Sequence, residues 1–188
     1  MSDLKPVSSS NFLFKYADDC YLVTPGKKSH TITKEIDHLN NWCKQNNLKL
    51  NVDKTKELIV SKKNCNLSII PKIGLERVEV LRVLGIFIDK HLNFTFHVDY
   101  IVSKASQSLY AIKKLQNHGL KGKELEVVYR SLVLSKISYA SQAWWGFANK
   151  ENIIKLDNCV KKAVRWGIIG NKIFQDFQQS FKLYDSTF

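Results

Sequence analysis

The chain is organised around a short stretch near its start, Asn11-Phe-Leu-Phe-Lys-Tyr-Ala-Asp-Asp-Cys-Tyr-Leu-Val23. Side chains alternate between the two faces of a strand, so Phe12, Phe14 and Tyr16 fall on one face. An apolar run resumes directly after the two acids. The pattern predicts a β-hairpin with Asp18 and Asp19 at its tip.

Two adjacent acids at a turn permit two interpretations. Asp is common in turns, so the pair can be an ordinary solvated turn. A tight turn can also present both carboxylates near one edge, where a divalent cation relieves their repulsion. Oxygen ligands suit Mg²⁺, with Mn²⁺ as the alternative, and two-metal phosphoryl transfer uses such acids. Asp18 and Asp19 are therefore candidate metal ligands.

Composition limits the classes of partner. The 188 residues suffice for one core or two small ones, and 44% hydrophobic residues is ordinary for a globular protein. A formal charge of +12 favours nucleic acid, or an anionic membrane surface, although it can simply keep the protein soluble. No apolar run reaches the roughly 18 residues of a membrane span. The start lacks a secretory signal and the four cysteines lack zinc spacing, which predicts an intracellular protein, nuclear or cytoplasmic.

The first half of the chain has mixed periodicity. Residues 1–10 are polar and Ser-rich, which predicts a flexible lead-in. A loop at 25–28 precedes a predicted helix that begins at Ser29 or Thr31 and ends near Asn46. Its expected buried stripe is Ile32, Ile36, Leu39 and Cys43. Strand-like pieces follow at 48–51, 56–60, 67–70 and 78–88, with a turn at 52–55 and an interruption at Gly85. We expect an α+β fold, with this helix packed on a small, mostly antiparallel sheet.

From Phe94 the apolar period becomes helical, which predicts an all-helical second part. The first predicted stripe is Val98, Ile101, Ala105, Leu109, Ile112 and Leu115, with Gly119 ending that helix. The later stripes are Leu125, Val128, Leu132 and Val133; Ile153, Leu156, Val160 and Ala163; and Phe174, Phe177 and Phe181. Two subdomains are expected to meet near residues 90–95.

Several motifs occur in a fixed order along the chain. They are Tyr16-Ala-Asp-Asp19, Leu39-Asn-Asn-Trp42, Asn47-Leu-Lys-Leu-Asn51 with Lys54-Thr55, Val83-Leu-Gly-Ile-Phe-Ile-Asp89, Leu92-Asn-Phe94 with His97, Tyr129, Tyr139, and Trp144-Trp-Gly146. Over residues 11–170 this series resembles the later part of the reverse transcriptase domain of jockey-like, non-long-terminal-repeat retrotransposons. The resemblance implies a partial polymerase palm at 11–92, a helical thumb-like region at 93–170 and a short helix or tail at 171–188.

The resemblance implies roles for three residues around the acid pair. Asp18 would be a catalytic metal ligand, with Asp19 beside it, in nucleotidyl transfer that uses Mg²⁺. Tyr16 would lie against the incoming nucleotide or the primer end. Lys54 would approach the phosphates and act as general acid at the pyrophosphate leaving group, which is chemically reasonable for a cation near developing charge. Considered without the resemblance, Lys54 is better explained as a solvated turn lysine.

Further implied contacts lie downstream. Leu84 and Gly85 would form the primer grip, where a residue without a side chain lets a nucleic-acid backbone approach closely; an ordinary strand bulge is the alternative. The expected partners are an RNA template and a DNA primer, with a deoxynucleoside triphosphate in an intact enzyme and no membrane.

The helical part supplies positive charge. Lys155, Lys162 and Arg165 are spaced by seven and three, so they share one side of a helix and are candidates for phosphate contact; a solvated face is the alternative. Trp144-Trp145 can stack on bases or pack in the core, and the core is favoured.

One requirement of the implied chemistry is unmet. A two-metal site needs a carboxylate on a second strand, which in this family precedes the Tyr-x-Asp-Asp box, but only Asp3 is acidic before Asp18. We therefore expect a truncated RNA-directed DNA polymerase domain that is inactive alone, with its hairpin exposing an edge and an apolar face. The alternative function is a non-catalytic, basic nucleic-acid-binding protein.

Overall fold

A computed structural model describes residues 3–62 and 74–185 of the chain. The chain forms two compact units that divide between Val78 and Glu79. The first unit combines short strands with one long helix, and the second begins with one hairpin and is otherwise mainly helical. The predicted α+β class is confirmed, whereas the palm-like and thumb-like division at residues 92 and 93 stays a prediction. Within the described ranges, no helix combines the length and apolarity needed to cross a bilayer.

The first unit contains the predicted hairpin. Strands β1 (Phe12–Tyr16) and β2 (Asp19–Val23) pair antiparallel, with Phe12 opposite Val23 and Tyr16 opposite Asp19. Ala17 and Asp18 form the two-residue link. The hairpin prediction is confirmed because it depended on local alternation and turn residues, which act over a few neighbouring positions.

Helix α1 (Ile32–Gln45) follows a 3₁₀ turn at Gly26–Thr31 and ends at Asn46. Its bounds agree with the predicted helix to within a few residues. The expected buried stripe is only half-buried, however, and the buried residues of this helix are Glu35 and Trp42. The periodicity identified the helix, but it did not identify the side chains that are most enclosed.

Glu35 holds the start of the chain in place. Its carboxylate accepts hydrogen bonds from the backbone N–H groups of Val7, at 2.9 Å, and Ser8, at 2.8 Å. The side-chain amide of Asn11 donates a third, at 2.8 Å. Burial by itself raises the pKa of Glu35, but these hydrogen bonds to the charged form outweigh it and hold the pKa below its usual range.

Two further contacts fix the same segment. The Trp42 indole N–H donates to the Asp3 carboxylate at 2.9 Å, and Leu4 is buried. The described residues 3–10 thus make specific contacts with α1, whereas the flexibility expected of residues 1–10 stays a prediction. Polar composition suggested disorder, but these polar groups satisfy a buried carboxylate and an indole that lie about thirty residues away in sequence.

The remaining strands of the first unit are short. Strands β3 (Lys56–Leu58) and β4 (Glu76–Val78) pair in parallel, and cross-strand ion pairs join Lys56 to Glu76 and Arg77 to Glu57. The predicted strand at 67–70 lies outside the described residues. The predicted strand at 48–51 is irregular, because Asn46 and Asn47 end α1 in a turn and Asn51 caps the 3₁₀ turn at Val52–Lys54.

The second unit opens with another antiparallel hairpin, formed by β5 (Val80–Val83) and β6 (Ile86–Asp89). The sequence predicted one strand over 78–88 broken at Gly85. The chain instead reverses there, because Leu84 and Gly85 both adopt positive φ, +46° and +90°. Two successive residues of this kind form the turn that matches the twist of a two-residue hairpin.

The helices of the second unit enclose one apolar core. They are α2 (Thr95–Asn117), α3 (Gly122–Tyr129), a π-helical turn (Arg130–Leu134), α4 (Ser135–Ser138), α5 (Lys150–Arg165) and α6 (Asn171–Asp185). The predicted stripe of α2 is buried from Val98 to Ile112, whereas Leu115, in the last turn, is 42% exposed. Trp144 and Trp145 are buried in this core, which confirms the favoured interpretation of the pair.

Candidate nucleic-acid and metal site

The acidic tip, defined as Asp18 and Asp19, lies where β1 turns into β2. Ala17 adopts φ +49°, a conformation that L-residues other than Asn and Asp rarely adopt, so the link is strained. Asp19 is the first residue of β2 and lies opposite Tyr16, while Asp18 occupies the link itself. The turn therefore places both acids and Tyr16 at one end of the hairpin, as the sequence predicted.

The carboxylates of the acidic tip are open to solvent. The Tyr21 hydroxyl donates to Asp19 Oδ2 at 3.2 Å, and no hydrogen bond or ion pair engages the Asp18 carboxylate within the described ranges. Carboxylate oxygens are the donors that Mg²⁺ prefers, and the acidic tip offers several that no protein group occupies. Within residues 3–62 and 74–185, no group of three or more His, Cys, Asp or Glu could hold a metal ion.

One face of the hairpin is aromatic and exposed. The register places Phe12 with Val23, Phe14 with Tyr21, and Tyr16 with Asp19 on the same face. Phe12, Phe14 and Tyr16 are 56%, 58% and 65% exposed. The expected exposure of this apolar face is confirmed. Aromatic rings of this kind can stack on nucleobases or pack against further protein.

Lys54 ends a 3₁₀ turn at Val52–Lys54 in the first unit. The Asn51 side chain accepts a hydrogen bond from the Lys54 backbone N–H at 3.1 Å, and the Thr55 hydroxyl donates to the Asn51 carbonyl at 2.7 Å. The Lys54 side chain is exposed, and in the described part of the chain no hydrogen bond or ion pair joins it to the acidic tip. Its implied role as general acid stays a prediction.

The turn at Leu84 and Gly85 is held by Tyr139. The Tyr139 hydroxyl donates to the Leu84 carbonyl at 2.9 Å. A Cβ at Gly85 would lie 3.3 Å from the Tyr139 ring, closer than ordinary contact. Leu84 adopts a positive φ, a backbone conformation that is strained for a leucine. Leu84 is also 42% exposed, so burial of its side chain offsets little of that strain.

The three cations predicted on α5 have different surroundings. Lys155 forms an ion pair with Asp99 of α2 at 2.5 Å. Lys162 lies over the Trp166 ring, 4.6 Å from its centroid. Arg165 is exposed and has no carboxylate partner in the described residues. An exposed ion pair contributes on the order of 0 to 1 kcal/mol, so Lys155 can exchange Asp99 for a phosphate at little cost.

No protein-family model, curated protein or solved structure matches this chain. The resemblance to reverse transcriptases therefore depends on the order of motifs in the sequence. The structure gives the local geometry around the motifs of the first unit and, independently, around those of the second.

Two features near the predicted residues were missed at the level of sequence. Tyr139 was noted as part of the motif series, but its bond to the Leu84 turn joins residues 55 positions apart, which no local pattern indicates. Lys161 was overlooked beside Arg165, although a spacing of four on a helix places two side chains on one face. A helical projection of α5 would have identified it.

Proposed function

We propose that the chain is part of an RNA-directed DNA polymerase of the retrotransposon type. In this proposal the acidic tip binds Mg²⁺, or Mn²⁺ in its place, and the basic helical unit binds the template and primer. The observation that carries the proposal is the exposed pair of Asp18, in the strained hairpin link, and Asp19, the first residue of β2 opposite Tyr16.

The metal part of the proposal follows from electrostatics. Two neighbouring carboxylates repel each other, and a divalent cation converts that repulsion into attraction. The strain at Ala17 fits a functional turn, because a conformation that costs on the order of 1 to 3 kcal/mol persists where the surrounding hairpin enforces it. Tyr16, opposite Asp19, would then contact the nucleotide that the metal positions.

The nucleic-acid part uses the second unit. The Leu84 turn presents backbone with no large side chain at Gly85, and Tyr139 fixes its position. In this proposal a primer strand approaches the exposed Leu84 side of the turn, because the Tyr139 ring already fills the space beside Gly85. The α5 cations Lys162 and Arg165 would contact phosphates, and the formal charge of +12 gives the same sign of attraction over longer distances.

We expect residues 1–188 by themselves not to extend a primer. Two adjacent carboxylates can anchor a cation, but they do not bracket both the attacking and the leaving oxygens of the displacement. In this proposal a further carboxylate from another strand completes the centre. Primer extension on a primed RNA template with Mg²⁺, comparing the chain with Asp18→Asn, tests this expectation, and Asp18-dependent incorporation would show that it is wrong.

The metal site is tested by Mn²⁺ titration followed by paramagnetic broadening of backbone amide signals in NMR spectra. Broadening is expected first around residues 17–20, and it should be lost in the Asp18→Asn/Asp19→Asn variant. Asp53→Asn is the matched control, because Asp53 is an exposed acid on another turn of the same unit. Equal broadening in the control and the double variant would remove the basis for the proposal.

The alternative is a non-catalytic nucleic-acid-binding protein. It is favoured by the exchangeable ion pair of Lys155 with Asp99 and by the exposed Arg165, which has no ion-pair partner in the part of the chain that the structure describes. In that case nucleic-acid affinity falls with rising salt, by a log–log slope of about 0.7 to 0.9 per phosphate contact, and Asp18→Asn changes nothing. Mg²⁺-dependent differences between the wild-type chain and Asp18→Asn would separate the two functions.

A further inference from the structure

An open, basic cleft lies between helices α5 and α6 on the surface of the second unit. The α5–α6 cleft has a volume of about 360 Å³, and its lining residues are Asn158, Lys161, Val164, Arg165, Asn171 and Phe174. The polar members are exposed at its rim, and Val164 and Phe174 are half-buried in its wall. A space of this size admits a group as large as a nucleotide.

The chemistry of the cleft suits an anion. Lys161 and Arg165 are four residues apart on α5, so their side chains lie on the same face of the helix. The amide groups of Asn158 and Asn171 can add neutral hydrogen-bond donors from two helices. Among the residues whose side chains the structure describes, none that lines the cleft carries a carboxylate. Arginine and lysine with neutral donors and no acid form a typical set for a phosphate.

The two cations of the cleft have no carboxylate partner within the described residues. The carboxylate nearest in sequence, Asp157, accepts a hydrogen bond from the Gln178 side chain of α6 at 3.2 Å. The Lys161 ammonium lies 5.6 Å from the centroid of the Phe174 ring, which restricts its position over the cleft wall. Within the described residues, neither Lys161 nor Arg165 forms an ion pair.

The sequence around the cleft also carries an excess of positive charge. Between Asp157 and Asp176 there is no Asp or Glu, while four cations occur, Lys161, Lys162, Arg165 and Lys172. These four cations give the stretch a positive potential that attracts a phosphate. The face of α5 chosen from sequence, with Lys155 and Lys162, includes Arg165 but not the lysine that shares the cleft with it.

We propose that the α5–α6 cleft binds a backbone phosphate of a nucleic-acid strand, with Lys161 and Arg165 as its charged ligands and Asn158 and Asn171 as neutral donors. This inference rests on the nucleic-acid binding proposed above and assigns it to a defined site. Phe174 forms the wall against which the adjoining sugar packs.

The test compares the full-length chain with Lys161→Gln/Arg165→Gln. Glutamine keeps most of each aliphatic stem, and circular dichroism verifies that both proteins are folded. The matched control is Lys121→Gln/Lys123→Gln, which removes the same charge at exposed positions at the start of α3. Affinity for a fluorescein-labelled oligonucleotide is measured by anisotropy at several salt concentrations.

The cleft variant is expected to bind at least about tenfold more weakly than the control variant. Its log–log salt slope should be smaller by about 0.7 to 0.9, the value for one phosphate contact. In the wild-type chain, NMR signals of the Asn158 and Asn171 side-chain amides should shift on oligonucleotide addition. Equal loss in the cleft and control variants, with unshifted amides, would overturn the inference while leaving nucleic-acid binding intact.

Two other outcomes are informative. Absence of oligonucleotide binding by the wild-type chain would overturn this inference together with the nucleic-acid part of the proposed function, whereas the Mn²⁺ titration reports on the acidic tip independently. Vesicles containing phosphatidylserine form a second arm. Tighter, Lys161- and Arg165-dependent binding to these vesicles than to the oligonucleotide would assign the cleft to lipid phosphate and overturn the nucleic-acid assignment.

Discussion

His97 is expected to make the stability of the helical unit depend on pH. Its side chain is almost fully buried, at 2% exposure, and Nδ1 accepts a hydrogen bond from the Phe87 backbone N–H at 3.3 Å. The aromatic rings of Phe87, Phe94 and Trp144 surround it, with the Trp144 centroid 5.2 Å away. Burial in this apolar setting lowers the pKa of His97 to about 4.

The sign and size of the effect follow from this pKa. In the unfolded chain histidine titrates near 6.5, so on acidification the unfolded state binds the proton before the folded state does. The full stability is present above about pH 6.5 and is lost as the pH falls towards 4. With about 1.4 kcal/mol for each unit of pKa, the loss from this residue reaches roughly 3 kcal/mol at and below pH 4.

Urea unfolding followed by tryptophan fluorescence between pH 7 and pH 4 measures the effect, because Trp144 contacts His97 directly. His97→Asn keeps a hydrogen-bond acceptor but cannot take up a proton in this range. The variant should be less stable at pH 7, because it loses the contacts of the buried imidazole ring. It should also lose less stability on acidification than the wild-type chain, because it has no imidazole to protonate. His118→Asn, at an exposed position, is the control and should keep the wild-type pH dependence.

The same reasoning is checked by NMR. The ring protons of His97 should titrate with a midpoint near pH 4, far below an exposed histidine. A midpoint near 6.5, or equal pH dependence of unfolding in the His97→Asn and wild-type chains, would refute the argument. Either result would mean that solvent reaches the imidazole in the folded protein.

Three further changes have defined expected outcomes. Gly85→Ala should lower the free energy of unfolding of the second unit by more than Gly119→Ala does. In both variants an alanine must adopt a positive φ, which costs about 1 to 2 kcal/mol. Only at position 85 does the added methyl group also meet the Tyr139 ring. Tyr139→Phe should cost about 0.5 to 1.5 kcal/mol in the same urea assay, through the lost hydrogen bond to Leu84. Glu35→Gln should destabilise the first unit by about 1.5 to 3 kcal/mol at pH 7, since it replaces a charged acceptor of three hydrogen bonds.

The Glu35 prediction has its own pH dependence. The pKa of Glu35 is lowered in the folded state, so its contribution is fully present above the usual glutamate pKa and is lost as the pH falls below it. Hydrogen exchange of the Val7 and Ser8 amides follows this loss directly. Asp37→Asn on the exposed side of α1 is the control, and exchange as fast in this control as in Glu35→Gln would contradict the assigned role.

Local sequence patterns were sufficient for much of the secondary structure. The hairpin around the acidic tip and helix α1 depend on alternation, helical period and end signals that act over a few residues, and both are present. Buried stripes were identified less completely. The predicted apolar stripe of α1 missed Trp42 and Glu35, because the enclosure of a side chain depends on what packs against it.

The candidate site shows the same division. The sequence indicated Asp18, Asp19 and the Leu84–Gly85 pair, because each lies in a short motif with its own turn chemistry. It did not indicate Tyr139 as the residue that fixes the Leu84 turn, nor Asn171 as a neighbour of Lys161 and Arg165. These contacts join separate elements, and composition carries no information on which elements meet.

The sequence by itself determined the first hairpin, helix α1, the surplus of positive charge and the exposed acid pair at a hairpin link, since these follow from neighbouring residues. The tertiary structure decided that Glu35 binds the backbone of Val7 and Ser8, that His97 is enclosed by aromatic rings, and that a basic cleft lies between α5 and α6. The physical reason is that burial and desolvation depend on contacts between residues far apart in the chain, which a local pattern does not specify.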